Sequence, residues 1–180
     1  MDGIKMIEER RSVRKYKDEI VDRDTLYKII DAARWSPSWA NFQVARYTIV
    51  ESADLIKRIA NDGVHGFSYN IGTLRNAKGV IVLSYKKGKS GKLSPEEYAT
   101  SKAQDWEMFD AGIACQSLCL AAHYYGVATC IFGVIDDAAI SEIVSLPEGE
   151  TVASIITFGY PDEEVKPTPR LTVEEITRYL

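Results

Sequence analysis

Apolar residues recur along this chain with two periods, one suited to helices and one to strands. Residues 2–10 place Ile4, Met6 and Ile7 at helical spacing with charges between them, which predicts a short amphipathic helix. A second helix is expected over 22–34, where Leu26, Ile29, Ile30 and Ala33 form the apolar stripe and Asp22 or Asp24 can cap the start. Ser36-Pro37 closes it, because the residue before a proline is pushed out of helical geometry. Strands are predicted at 47–50, 79–85, 128–134 and 151–160. The run Gly-Val-Ile-Val-Leu-Ser-Tyr from Gly79 is the clearest, being short, apolar and β-branched. Short helices fit 53–60, 137–144 and 171–180. Over 104–125 the pattern is helical but apolar on nearly every side in its second half, and Gly126 suits the left-handed residue that stops such a helix. That helix needs cover all round, from its own core or from a second copy of the chain. Helices interleaved with strands predict an α+β or α/β sandwich, a sheet covered by helices. With no repeat and no long linker, residues 1–180 read as a single domain.

Composition narrows the functional classes. A chain of 180 residues can bury roughly 70% of the surface its unfolded form exposes, so it needs no covalent staple. A net charge of −4 argues against a nucleic-acid binder, which carries a basic excess. No apolar run approaches the roughly 20 residues that cross a bilayer, and the first residues lack the apolar core of a signal peptide. The three cysteines, Cys115, Cys119 and Cys130, are an odd set in one short region, unlike a disulfide framework. A cytoplasmic location is the expectation.

Against that acidic background, Arg10-Arg11-Ser12-Val13-Arg14-Lys15-Tyr16-Lys17 carries five basic residues and no acidic one. Guanidinium groups beside a serine make a good anion site, since they form paired, charge-assisted bonds to phosphate oxygens; a solvated basic face is the plainer alternative. Ser36-Pro37-Ser38-Trp39-Ala40-Asn41-Phe42-Gln43 packs hydroxyls, amides and a proline into one loop. It could read the edge of a flat polar ring, or be a turn and nothing more.

The two segments together, in this order and spacing, resemble the FMN-dependent nitroreductase family. Asp110-Ala111-Gly112 opening an Ala-rich helix, its close at Tyr125-Gly126, the Cys130-Ile131-Phe132-Gly133 turn, and Phe158-Gly159-Tyr160-Pro161 ahead of Arg170 extend the resemblance over nearly the whole chain. It implies a central, mostly antiparallel sheet flanked by helices, and a homodimer with FMN at the subunit interface. NADH or NADPH would be the reductant, and nitroaromatics, quinones or similar flat molecules the acceptors. Arg10, Ser12 and Arg170 then match positions that hold the phosphate and ribityl oxygens, with Arg11 contributing mainly its backbone. Arg14 matches a cation at the pyrimidine edge of the ring. Pro37, Ser38 and Asn41 match the loop that reaches the flavin from the other subunit, Phe132-Gly133 the turn whose amide addresses the N5 region, and Asn70 a polar ring contact. Hydride chemistry belongs to the cofactor, so no dedicated acid, base or nucleophile is expected. The chain departs from the family at Gln43-Val44-Ala45, where Gln-Pro-Trp is common, and at Thr73 and Thr168, where basic residues are usual, with Arg75 and Lys166 the nearest cations. Phe132 stands where some members carry an acid. The excursion that covers the flavin in larger members would be reduced to 86–103. A non-catalytic flavin carrier or redox sensor, or a specialised reductive dehalogenase or heterocycle dehydrogenase, would use the same scaffold.

Weaker signals remain. Cys115, Cys119 and His123 share one helical face but lack a fourth zinc ligand, and read as packing. His65 reads as an ordinary loop residue. Trp35, Trp39, Phe42, Trp106 and Phe109 could line a flat-substrate pocket or fill a core or interface. Gly88-Lys89-Ser90-Gly91-Lys92 lacks phosphate-loop spacing.

Overall fold

In a computed structural model, which describes residues 2–65 and 68–180, strands β1 (Ala45–Val50), β2 (Gly79–Lys86), β3 (Ala128–Phe132) and β4 (Glu150–Gly159) form one sheet in the order β1-β2-β4-β3. Every neighbouring pair is antiparallel. The two middle strands are apolar on both sides because both faces are covered. Ile81, Leu83, Ile156 and Phe158 point to one face, where α2 (Arg23–Ala33) and α5 (Asp105–Tyr124) supply Leu26, Ile29, Cys115 and Leu118. Val80, Val82 and Ile155 point to the other, under α3 (Ala53–Asp62) and α6 (Asp137–Ile143), which supply Ile56, Ile59 and Ile140. Leu83 pairs with Ser154 but Ser84 with Val152, so Ala153 is an extra residue in β4. That bulge reverses the alternation and puts Val152 on the same face as Ile155. The expected sandwich of sheet and helices is what forms.

Local chemistry sets the helix ends. Asp22, not Asp24, caps α2 by accepting Thr25 N–H at 2.8 Å. Gly126 takes φ 74° after α5, the left-handed stop expected of it. Helix α1 (Gly3–Glu9) forms under an Asp2 cap, yet Ile4 and Ile7 stay exposed. Helix α4 (Ser68–Asn76) is not among the sequence expectations: Gly72 inside it and its polar neighbours hide the periodicity, and it is held by tertiary burial of Thr73 and Leu74. The helix expected over 171–180 shrinks to one turn, α7 (Val173–Ile176), closed by a Thr172–Glu175 capping box. Leu171, Val173, Ile176 and Leu180 are exposed, and a helix that buries nothing does not extend. Among the described residues no helix is long and apolar enough to cross a membrane.

Candidate functional site

After α1 the chain runs along the outer edge of β3. Ser12 bridges Thr129 in parallel and Val13 N–H donates to Thr129 O at 3.1 Å. Tyr16 fastens the segment from beneath: its hydroxyl donates to Val13 O at 2.7 Å and lies 2.8 Å from Thr157 Oγ1. Burial pushes that phenol well above its ordinary pKa. Val13 and Tyr16 are buried, which leaves Arg10, Arg11, Ser12 and Arg14 half-exposed around them.

The four polar groups are not equivalent. Arg11 is spent on its own backbone, donating to Glu8 O at 2.5 Å and Arg10 O at 2.9 Å. Arg14 donates to Ser12 O at 3.2 Å, and Glu163 Oε1 accepts the Arg14 and Lys15 N–H groups at 2.6 and 3.1 Å. Among the described residues, the Arg10 guanidinium and the Ser12 hydroxyl take no hydrogen bond or ion pair from the chain. Both are partly buried, and a partly desolvated guanidinium without a partner favours an anion. Arg10 opens onto a cavity of about 410 Å³ shared with Arg11, His123, Thr129 and Glu163. His123 Nε2 is buried there without a partner among the described residues. Burial holds its pKa below the usual imidazole value, with Glu9 opposing and Arg10 and Arg11 reinforcing the shift.

The loop after α2 is built to hold an unusual shape. Ser36 Oγ donates to Ala33 O at 2.6 Å and ends the helix. A 3₁₀ turn, Trp39–Asn41, follows, and Ser38 Oγ accepts Gln43 N–H at 2.8 Å across it. Ala40, Asn41 and Gln43 have φ of 44°, 57° and 51°, a left-handed backbone that costs non-glycine residues on the order of 1–2 kcal/mol each. Pro37 and Asn41 are exposed and Ser38 half-buried.

These two segments occupy opposite corners of the sheet. Ser12 lies on the row Thr129–Phe158–Gly79, beside edge strand β3, whereas the loop feeds Ala45, on the row with Tyr85 and Thr151, in edge strand β1. From Gly79 to Tyr85 the rows are separated by about 20 Å along the strands, and the four strand spacings from the Ser12 segment to β1 add about 19 Å across. One flat ring cannot touch both within one chain.

The model of the nitroreductase family matches residues 7–160. The chain belongs to that family. A protein of Archaeoglobus fulgidus, provisionally named an NADH dehydrogenase/NAD(P)H nitroreductase, is 29% identical over 165 residues, which are 89% of this chain and 86% of that one. The fold is shared with a nitroreductase family protein of Clostridium novyi NT, at TM-score 0.80 and 29% identity over 91% of this chain and 87% of that one. It is shared also with an FMN-dependent nitroreductase of Clostridium difficile R20291, at TM-score 0.76 and 28% identity over 92% and 91%.

Other residues singled out from the nitroreductase pattern are placed as follows. Phe132 is buried in the core beneath α6, so only its backbone is available to a ligand. Gly133 is exposed, with open space where a Cβ would stand. Asn70 is half-buried on α4. Arg170 is exposed on the tail and donates to Thr168 O, Thr168 Oγ1 and Pro169 O. It does not line the cavity onto which Arg10 opens. Thr73 is buried, and Arg75 turns instead to Asn61 Oδ1 at 2.9 Å. Cys115, Cys119 and Cys130 are buried free thiols, and no group of three metal-ligating side chains exists among the described residues. His65 pairs with Asp136 at 3.2 Å. Trp39 and Trp106 meet at 4.8 Å between ring centroids, and Trp106 and Phe109 at 5.3 Å. They form a partly exposed cluster outside the core, and Trp35 and Phe42 are also exposed.

Sequence reasoning missed two buried carboxylates on α5. Asp110 accepts Trp39 N–H at 3.0 Å on both oxygens and Ser90 Oγ–H at 2.6 Å; Glu107 accepts Lys89 N–H at 2.9 Å. Glu107 is an ordinary first-turn acid of α5, and Asp110 was read only as part of the Asp110-Ala111-Gly112 motif, so neither was marked as a buried acceptor. Glu163, which clamps the backbone of Arg14 and Lys15, was missed because its partners are about 150 residues away and are main-chain groups.

Proposed function

We propose that this chain is an FMN-dependent NAD(P)H oxidoreductase, active as a homodimer, that passes hydride by a ping-pong cycle to nitroaromatics, quinones or similar flat acceptors. The observation that carries this reading is the pair of unengaged donors two residues apart, Arg10 at the end of α1 and Ser12 on the β3 edge. When bound, FMN supplies the chemistry, accepting hydride from the nicotinamide and giving it to the acceptor.

The chain's own residues bind and orient. Arg10 and Ser12 hold the terminal phosphate through charge-assisted bonds, and Arg170 joins them once its exposed tail is docked. Gly133 lets the backbone approach the ring closely, since no side chain stands in the way. Arg14 offers positive charge to the pyrimidine edge, where negative charge accumulates on reduction. Asn70 adds a polar contact. Pro37, Ser38 and Asn41 come from the second subunit, a reading supported by the distance between the two corners. The dimer has its own physical support: along α5, exposed Phe109 and Tyr124 and half-buried Ile113 and Leu120 make an apolar stripe at helical spacing.

Absorption spectroscopy and steady-state assay test the proposal together. Purified protein is expected to carry a flavin band near 450 nm (a property of FMN, roughly) that bleaches with NADH or NADPH and returns with menadione or a nitroaromatic. Bleaching without turnover on any acceptor would make it a carrier or sensor, and colourless protein that takes up no FMN would end the reading.

A further inference from the structure

The strained loop at 38–43 does not hold itself. A 3₁₀ turn leaves its first N–H groups open, and the residue before it normally closes them with a side chain. Ser38 occupies that position but makes no such cap, because its hydroxyl is engaged with Gln43 N–H. The cap comes from another element: both oxygens of Asp110, on α5, accept Trp39 N–H at 3.0 Å. Asp110 is 4% exposed, and its second oxygen also takes Ser90 Oγ–H at 2.6 Å. One buried carboxylate thus ties the loop, the first turns of α5 and the 86–103 excursion into one joint. Its neighbour Trp106 stacks on Trp39 and donates its indole N–H to Thr100 Oγ1 at 2.9 Å, so the excursion is fastened to the same place twice.

We infer that Asp110 is a positioning residue for the cofactor site. It caps the Trp39–Asn41 turn from α5, and so holds extended Ser38 and left-handed Asn41 in the geometry in which they meet the flavin bound mainly by the partner chain. This rests on the proposed contact between the loop and the flavin. The role differs from plain burial because α5 carries an internal control. Glu107 is equally buried, 3% exposed, lies one turn earlier, and also accepts a backbone N–H, but that of Lys89 in the excursion. Loss of either carboxylate leaves a backbone donor without its acceptor; only loss of Asp110 frees the loop.

The test compares Asp110→Ala, Asp110→Asn, Glu107→Ala and Asn41→Ala by FMN titration of apoprotein, with thermal midpoints measured on the same samples. Asp110→Ala is expected to raise the FMN Kd at least tenfold. Asp110→Asn, whose carbonyl can still accept Trp39 N–H while its amide donates to Ser90, restores binding to within about threefold. Glu107→Ala loses a comparable thermal midpoint but keeps the wild-type Kd. If Asp110→Ala and Glu107→Ala lose FMN in equal proportion to their lost midpoints, or if Asp110→Ala binds as wild type does, the positioning role is overturned. Asn41→Ala separates the two levels. Weakened binding there with normal binding in Asp110→Ala refutes the latch alone, whereas normal binding in Asn41→Ala refutes the loop contact and the latch with it. Should Asp110→Ala not fold, Asp110→Ser, too short to reach Trp39, replaces it with the same outcomes.

Discussion

Arg10 and Arg11 are adjacent, identical and equally legible as part of a basic run, yet they end in different states. Helix α1 stops at Glu9, so Arg11 falls within reach of the open carbonyls of Glu8 and Arg10 and is consumed by them. Arg10 points to the cavity instead. Which guanidinium is left for an anion depends on where a helix ends and which carbonyls it leaves open, and the sequence does not carry that to one residue. A second consequence at this scale concerns Tyr47, half-buried against the α2–α5 side of the sheet. Burial pushes its phenol up to about 12, with Cys115 and Cys119 adding to the shift. An unfolded tyrosine ionises near pH 10 (roughly), so the folded state holds its proton longer. The stabilisation from keeping Tyr47 neutral is complete below that pH and is lost as pH rises through the folded value. Urea unfolding from pH 9 to 12 is therefore expected to fall less steeply for Tyr47→Phe than for wild type; parallel curves would contradict it.

At the scale of elements, the strands were the most legible part. β2 and β4 lie in the middle of a sheet covered on both faces, so nearly every side chain must be apolar, and the run from Gly79 announces this directly. Helix α4 and the α7 tail were not legible, because one is stabilised by its surroundings and the other finds none within the chain. The Ala153 bulge was equally silent, since it decides a face and not a composition. Gly79 itself has a role beyond starting a strand. Phe158 sits opposite it on β4, and a Cβ at Gly79 would stand 2.1 Å from the ring. The ring thus fills the space that glycine vacates. Gly79→Ala is expected to lower unfolding free energy by about 1–3 kcal/mol through overpacking, read from urea midpoints, whereas Gly133→Ala, with open space around its site, is expected to leave them unchanged.

At the scale of the whole molecule, the single chain is unfinished. The cationic corner and the polar loop stand diagonally apart, the α5 stripe is uncovered, and the tail carrying Arg170 leaves Leu171, Val173 and Ile176 in solvent. The proposed homodimer would bring a second copy to each of these surfaces. The candidate site was therefore legible in the sequence as a list of residues but not as one place, since the chain sets those residues at two separate corners. Phe109→Asp together with Leu120→Asp is expected to convert a dimer into a folded monomer in sedimentation equilibrium and to abolish FMN retention. A dimer that survives the pair, or a monomer that keeps FMN, would remove the shared site.

The central claim is that Arg10 and Ser12 are kept free for a phosphate, and titrating apoprotein with FMN and with riboflavin, which differ only in that group, tests it most directly. Charge-assisted bonds of about 1.5–3 kcal/mol each predict that wild type prefers FMN by at least about a hundredfold and that Arg10→Ala loses most of that preference. Equal affinity of wild type for the two ligands would contradict the account.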